Sequence, residues 1–554
     1  MNNRTKTGLE ILEAALLLGI LGNALLRATP WGFNVLLFIG ALVMGMLAIT
    51  LRKRHELWDN ENLWLNAALI VFAVCFAWRD SIALKIFDAL LILAILSIIA
   101  WRGQGVQAHL SSLTSYLGGA ILSGFSAAFG PLFLLFNDVQ WKTIPRNGWT
   151  KHLIAVLRGV AIAAPILFVF GALFMAADAV YEGIIKNTFK IDPEILFSHI
   201  MLTGFLAWIV AGYLRGSLLS EDLVSLFSQN ANAATPVQTL DLNQNEPNKE
   251  FVSVTEEPRA DTDAPKTAEP KPSTSGFFSL GIIETSVVLG LINLLFLSFV
   301  IVQIPYLFGG MDLVQNTADL KLATYARRGF GELVTVAALV LPILLASHWL
   351  VKKDNPLNEK IFGVLAGIQI GLLFVIMYSA VQRMLLLMSN LGYGYSELRI
   401  YPLAFMAWLA LVFVWLGLTV LRGQRRRFAW GALWAAIGIV FSLHVINPDN
   451  LIVNGNTRLM VNDNRSYDIQ YMKELSDDAV PALANALPFM TFEQQCVTKR
   501  EFNRRLERDS YTDFRTWSYS RLMARKTLWQ LQQSDSLNIE GCPAPTRNYS
   551  RGLD

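Results

Sequence analysis

What this sequence lacks most is charge. Asp, Glu, Lys and Arg fill only 16% of its 554 positions, against about 25% in an ordinary soluble domain. That deficit excludes one large water-facing fold. Cysteine is nearly absent, with three in the chain, which excludes a disulfide-dense secreted scaffold. There is no Walker A sequence, no H-E-x-x-H and no G-x-S-x-G elbow, so P-loop, zincin and hydrolase-elbow chemistry have no anchor here. "RGQGVQA" fits a loose G-x-G-x-x-A, but it follows an apolar run rather than a strand, and is set aside. The histidines, at 55, 109, 152, 199, 348 and 444, show no metal-ligand spacing, and His348 and His444 read as helix-end residues. A net charge of +3 supplies no field for nucleic acid. We therefore expect no catalytic residue, no metal, no cofactor and no enzyme.

What is present is apolar length. Hydrophobic residues make up 53% of the chain, gathered in runs near the roughly 20 residues that cross a bilayer as a helix. The runs lie near 8–27, 31–51, 63–79, 81–101, 153–180, 199–219, 279–304, 331–351, 361–387, 402–421 and 429–446. They predict an all-α, polytopic helical membrane protein with about 11 spans. Glu10 and Glu13 interrupt the first run, so it is expected to stay as a helix rather than leave as a signal peptide. A further stretch, "LTSYLGGAILSGFSAAFGPLFLLF" (113–136), would make about 12 spans if it crossed.

The runs divide the chain into four parts. Residues 1–219 form a first transmembrane bundle and 278–446 a second. Between them, 220–277 is rich in Pro, Thr, Glu and Asp and reads as a disordered linker. Residues 447–554 are polar and read as a small helical extramembrane region, with Ser476 or Asp478 as a cap and Pro481 in a first turn.

Short basic loops stay cytoplasmic. "RKR" at 52–54, "KK" at 352–353, "RGQRRR" at 422–427 and the N-terminal Arg4 and Lys6 can all lie on one side only if 113–136 is re-entrant or interfacial. The expected topology puts the N-terminus and linker in the cytoplasm and the C-terminal region in the periplasm, with the chain in the inner membrane. Cys496 and Cys542 are then exported together and free to pair, while Cys75 lies in an apolar run.

On this topology "YARRGFGEL" sits at an exoplasmic mouth, where arginines oppose the orientation rule. Tyr325, Arg327, Arg328 and Glu332 would meet Asp178, Arg383, Tyr393, Glu397 and Arg399 at one depth. Three readings stay open: an ion-pair network locking helix ends, an arginine-lined site for an anionic headgroup, peptide or small solute, or proton or ion coupling through Asp178 and Glu332. Lys85 and Asp88, three apart in the fourth span, are a candidate pair of their own.

"LRGVAIAAPILFVFGALFMAADAVY", "YARRGFGEL", "QRM…YGYSELRIY" and "NGNTRLMVNDNRSYDIQYMKELSDDAVPALANAL" together resemble bacterial integral-membrane proteins grouped as domains of unknown function, most nearly the family numbered 4173, closely similar to that numbered 4153. The resemblance implies a multi-pass membrane protein with an extramembrane helical C-terminal region, and no reaction, substrate or cofactor. Membrane lipids and an envelope protein reached through 447–554 are the expected partners. The favoured function is a non-enzymatic envelope scaffold or sensor; the alternative is a transporter or channel for an anionic small solute or lipid.

Overall fold

The structure, a computed structural model, describes residues 3–52, 60–103, 106–141, 193–219, 282–308, 330–350, 356–388, 394–507 and 513–543. The linker at 220–277 and the apolar run at 153–180 lie outside these residues. Helices are the regular elements among the described residues. The apolar ones are α1 (Asn3–Leu26), α2 (Phe33–Arg52), α3 (Asn60–Trp78), α4 (Ile82–Arg102), α5 (Leu113–Phe133, running on through a π-helical turn to Asp138), α6 (Pro193–Leu218), α7 (Ile282–Phe308), α8 (Phe330–Leu350), α9 (Pro356–Met388), α10 (Glu397–Thr419) and α11 (Phe428–Ile446). More polar helices follow: α12 (Pro448–Asp463), α13 (Ile469–Met472), α14 (Val480–Ala486), α15 (Phe492–Leu506) and α16 (Tyr519–Gln533).

Nine helices among the described residues are long and apolar enough to cross a membrane, and the shorter stretches Asn62–Trp78 and Leu333–Trp349 are apolar too. Their outer faces expose Leu17, Ile20, Leu90, Leu93, Leu294 and Leu295. Such a surface costs heavily in water and nothing in hydrocarbon, where helices associate by packing instead. The chain is a multi-pass helical membrane protein.

The first bundle has two chemically distinct ends. α1 and α6 run antiparallel, with Asn23 against His199 near one end and Arg4 and Arg215 sharing Asp138 at the other. Arg52 reaches Glu10 at that same second end, and the turn Arg425–Arg427 packs there against Ala108–Leu110. This is the basic end. The opposite end is covered by the C-terminal region.

α5 does not run from one end to the other. Near its start, Gly119 lies against Trp101 in the last turn of α4. At its middle, Gly130 crosses the backbone of Gly212, so closely that a side chain on either would strike main chain. Past Asp138, Val139 meets Gly8 of α1. Trp101, Gly212 and Gly8 all belong to the basic end, so both ends of α5 lie there, although its length and composition alone would let it span. A stripe at four-residue spacing, Leu113, Leu117, Ile121, Phe125 and Phe129, is left exposed.

Two apolar cores organise the rest. One joins α1 to α4 with α6, and Trp430, Trp434 and Ile437 of α11 lean on it. The other joins α7 to α10 and continues without a break into the C-terminal region, from Ile400 and Met406 through Ile452 and Val453 to Leu483, Phe502 and Leu528. The C-terminal region is thus fused to the second bundle by apolar packing, whereas much of what holds it to the first is polar.

Candidate functional site

α3 and α4 are joined by only three residues, Arg79, Asp80 and Ser81. A turn that short between apolar helices leaves the N–H groups at the start of α4 without backbone acceptors, and Ser81 does not cap them with its own side chain. Asp478 does so from the C-terminal region. Its Oδ2 accepts the N–H of Asp80 at 2.7 Å and of Ser81 at 3.1 Å, a carboxylate at the positive pole of a helix. Its Oδ1 faces Arg79 Nη1 at 3.3 Å and the Ser520 hydroxyl. Local chemistry holds Asp478 in place: Ser476 caps the turn Asp477–Ala479, and Pro481 opens α14 where its missing N–H costs nothing.

Arg79 and Arg521 complete the seam. Arg79 donates Nε and Nη2 to the carbonyl of His444, at 2.8 and 2.6 Å, and stacks over Trp78. Arg521 donates to the carbonyls of Pro30 and Trp31 in the α1–α2 loop, to the Thr516 carbonyl and, at 2.5 Å, to Asp80 Oδ1. Lys85 also donates to Asp80 Oδ1, at 2.6 Å. Burial alone would raise the Asp80 carboxyl, but Lys85 and Arg521 outweigh it and hold it below its ordinary value.

The pairing of Lys85 with Asp80 corrects the expected Lys85–Asp88 contact. Asp88 turns instead to His444 Nε2, at 3.1 Å, and both side chains are fully buried. The other ring nitrogen, Nδ1, lies 2.9 Å from the Val440 carbonyl, which can only accept. Nδ1 is thus placed to donate to that carbonyl, and Nε2 faces the Asp88 carboxyl. His444 is not a bland helix end.

Asp449, beside this seam, has a half-satisfied carboxyl. It is 1% exposed. Its Oδ2 accepts the Ser476 hydroxyl at 2.5 Å and the Ser476 N–H at 3.1 Å, while Oδ1 has no protein partner. Burial pushes its carboxyl up to about 7; the Ser476 hydrogen bonds pull the other way, and the charges of Asp478 and Glu397 add to the rise. By contrast, Arg505 is saturated by the carbonyls of Lys473 and Leu475 and by Asp477 and Glu501. A cleft of about 600 Å³ bordered by Asp80, Ile82, Lys473, Glu474 and Arg504 opens this seam to the outside. A second cavity, about 490 Å³ among Met46, Leu47, Asn66 and Ile99, is apolar and lies at the basic end, away from this chemistry.

Of the residues expected at an exoplasmic mouth, Asp178, Tyr325, Arg327, Arg328 and Tyr393 lie outside the described residues, as does the side chain of Glu332, which begins α8. Arg383 is half-buried near the end of α9. Glu397 and Arg399 open α10 beside the C-terminal region: the Glu397 N–H donates to the Tyr471 hydroxyl at 2.9 Å, and Arg399 to the Gly394 carbonyl. Of the seam residues, Arg79, Asp80, Asp449 and Arg521 are not singled out from the sequence, and Asp478 is marked there only as a candidate helix cap. The available signal was "WRDS", a charged pair in a turn between two apolar runs.

Cys496 and Cys542 are joined by a disulfide, Cα to Cα 5.7 Å, which ties α15 to the end of the region; Cys75 is a buried thiol. Both bridged residues should resist alkylation until reduced, with a reductant-sensitive mobility shift that either Cys→Ser change abolishes. Closing a loop with a sequence separation of 46 should contribute about 2–4 kcal/mol. Free labelling of both thiols without reductant would count against the bridge.

No group of three or more His, Cys, Asp or Glu among the described residues is placed to hold a metal. Against known proteins, the family profile described as "Domain of unknown function (DUF4153)" matches residues 66–486, well over half of the chain. The match corrects the family number expected from the sequence, 4173, to its near relative. No curated protein and no solved structure shows significant similarity.

Proposed function

The chain belongs to the DUF4153 family, and from that premise we propose a non-enzymatic scaffold or sensor of the bacterial envelope. It sits in the inner membrane with its N-terminus cytoplasmic and its C-terminal helical region periplasmic. One observation carries this reading: the C-terminal region is fused to one bundle by apolar core and pinned to the other by a buried polar seam. Polar seams release and re-form more readily than apolar cores, so the region can report on, or hold together, two halves of the membrane domain. Membrane lipids and an envelope protein bound through 447–554 are the partners, and the arginines Arg327, Arg328, Arg383 and Arg399 are assigned to an anionic headgroup.

Sidedness is supported from both ends. Arg4, Arg52, Arg215 and Arg425–Arg427 gather at one, as cytoplasmic loops do. At the other, Trp31 and Phe514 are exposed, and Arg515 donates to the Ala24 carbonyl in the last turn of α1, the level at which aromatic belts meet headgroups. In this topology α5 lies in the cytoplasmic interface. Setting it aside leaves ten described crossings; the run at 153–180, expected to be the eleventh, lies outside the described residues. A phosphatase fused after Asp554 should be active outside, while a reporter within 220–277 should read cytoplasmic; the reverse pattern sinks the orientation. If deleting 450–554 left every partner and phenotype intact, the scaffold or sensor reading would fail.

The alternative, a transporter or channel, is favoured by the Asp88–His444 pair, since buried ionisable groups in membrane spans often mark ion pathways. Ion or solute flux in proteoliposomes discriminates: flux abolished by Asp88→Asn would support transport.

A further inference from the structure

The Ser476 hydroxyl lies between two buried carboxylates, 2.5 Å from Asp449 Oδ2 and 3.2 Å from Asp478 Oδ2. It has one proton to give, and the shorter contact assigns that proton to Asp449. Asp478 needs nothing more, since Arg79, Ser520 and the N–H groups of Asp80 and Ser81 already donate to it. Asp449 is left with one oxygen that has no protein partner and no cation bonded to it.

The charged and titratable groups around Asp449 come from three elements. Glu397, Arg399 and Tyr401 lie on α10, Tyr471 on α13 and Asp478 in the turn before α14. Arg399 is turned to the Gly394 carbonyl and Arg79 to Asp478. An ionised Asp449 therefore repels Asp478, the residue that grips the start of α4, with two hydrogen bonds from Ser476 but no ion pair to offset the repulsion.

We propose that Asp449 is a proton-binding site that sets how tightly the C-terminal region grips the first bundle, so that protons on the exposed side are the stimulus of the sensor. This rests on the sensor reading and supplies its ligand. The direction is fixed by linkage. Parting the seam admits water to Asp449 past Ser476, which borders the cleft, so a carboxyl held at about 7 by burial falls back toward the ordinary 3.8 and the docked form binds the proton more tightly. Docking is strongest in acid and weakens as pH rises from about 4 through about 7. Two other acids near the seam, Asp80 and Glu501, stay outside this window, and Asp449→Asn separates Asp449 from the rest. Lys85 and Arg521 hold Asp80, and Arg504 and Arg505 hold Glu501, below their ordinary values against the upward push of burial, so both stay ionised at pH 5.

The test uses the full chain in lipid nanodiscs, spin-labelled at Ile82→Cys on the first bundle and Gln533→Cys on the C-terminal region, both exposed positions. Distance distributions should show one docked population at pH 5. At pH 8 a longer, broader population should grow, the docking equilibrium weakening about 10- to 100-fold. Asp449→Asn, of the same shape but unable to ionise, should stay docked at both values. A protonated-carboxyl infrared band near neutral pH, lost in Asp449→Asn, checks the proton directly even if the labels disturb the seam. A pH-independent wild type, or a pH response that survives in Asp449→Asn, overturns the proposal. If the seam responds but no partner or phenotype follows pH, the proton site stands and the sensor reading falls.

Discussion

Asp478→Asn should loosen the C-terminal region from the first bundle at a cost of about 3–5 kcal/mol, the range for removing one partner from a buried pair. The substitution preserves shape, so little of this cost is lost packing. The incoming amide must turn a donor either toward the N–H groups of Asp80 and Ser81 or toward Arg79, all of which already donate; only the Ser520 hydroxyl can adapt, by turning its proton to the Trp78 carbonyl. Two consequences follow from that crowding. Arg79 keeps its bonds to the His444 carbonyl but loses its anion, and the start of α4 loses its cap. The melting temperature of detergent-solubilised protein should fall and the α3–α4 turn should become accessible to protease. Glu474→Gln, on the exposed rim of the cleft, is the control and should move stability by less than about 0.5 kcal/mol. Equal effects from the two variants would mean that Asp478 is no more than another surface acid.

The membrane helices were legible because hydrocarbon imposes a one-dimensional rule: about 20 apolar residues, whatever lies beside them. The seam was not legible because its parts are far apart in sequence. Arg79 and Asp478, or Asp80 and Arg521, are each about 400 residues apart, and nothing local marks them as partners. Asp449 looks like an ordinary helix-start acid in "NPDN", and only the approach of Ser476, Asp478 and Glu397 makes its position unusual. Lys85 and Asp88 show the opposite failure. Their spacing suggested a pair at i+3, but Asp80, five residues earlier in the α3–α4 turn, takes Lys85, and His444 of α11 takes Asp88. In α5 the sequence held a conflict between a spanning length and a basic-loop parity that did not want a span. Gly130 and Gly212 let this helix cross α6 at close range, a backbone approach that length and parity alone do not show.

The anchor of that crossing yields the other large effect. Asp138 is fully buried between Arg4 Nε at 2.8 Å and Arg215 Nε at 2.6 Å, and Arg215 also lies over the ring of Phe133. Asp138→Ala strands the Arg215 guanidinium in an apolar setting and should cost about 3–5 kcal/mol. Arg4→Ala removes a partner that is 38% exposed, and should cost at most about 1 kcal/mol. The double change Asp138→Leu with Arg215→Met takes away both charges and should recover most of the stability, because an apolar pair of similar volume replaces a buried ion pair with little loss. Sidedness is read in the same background. Cysteines placed at Ser112 and Trp141, both exposed and flanking α5, should react with a membrane-impermeant thiol reagent only from the cytoplasmic side. If one labels from each side, α5 crosses the bilayer, the basic loops that follow it change sides, and the periplasmic placement of the C-terminal region fails with them.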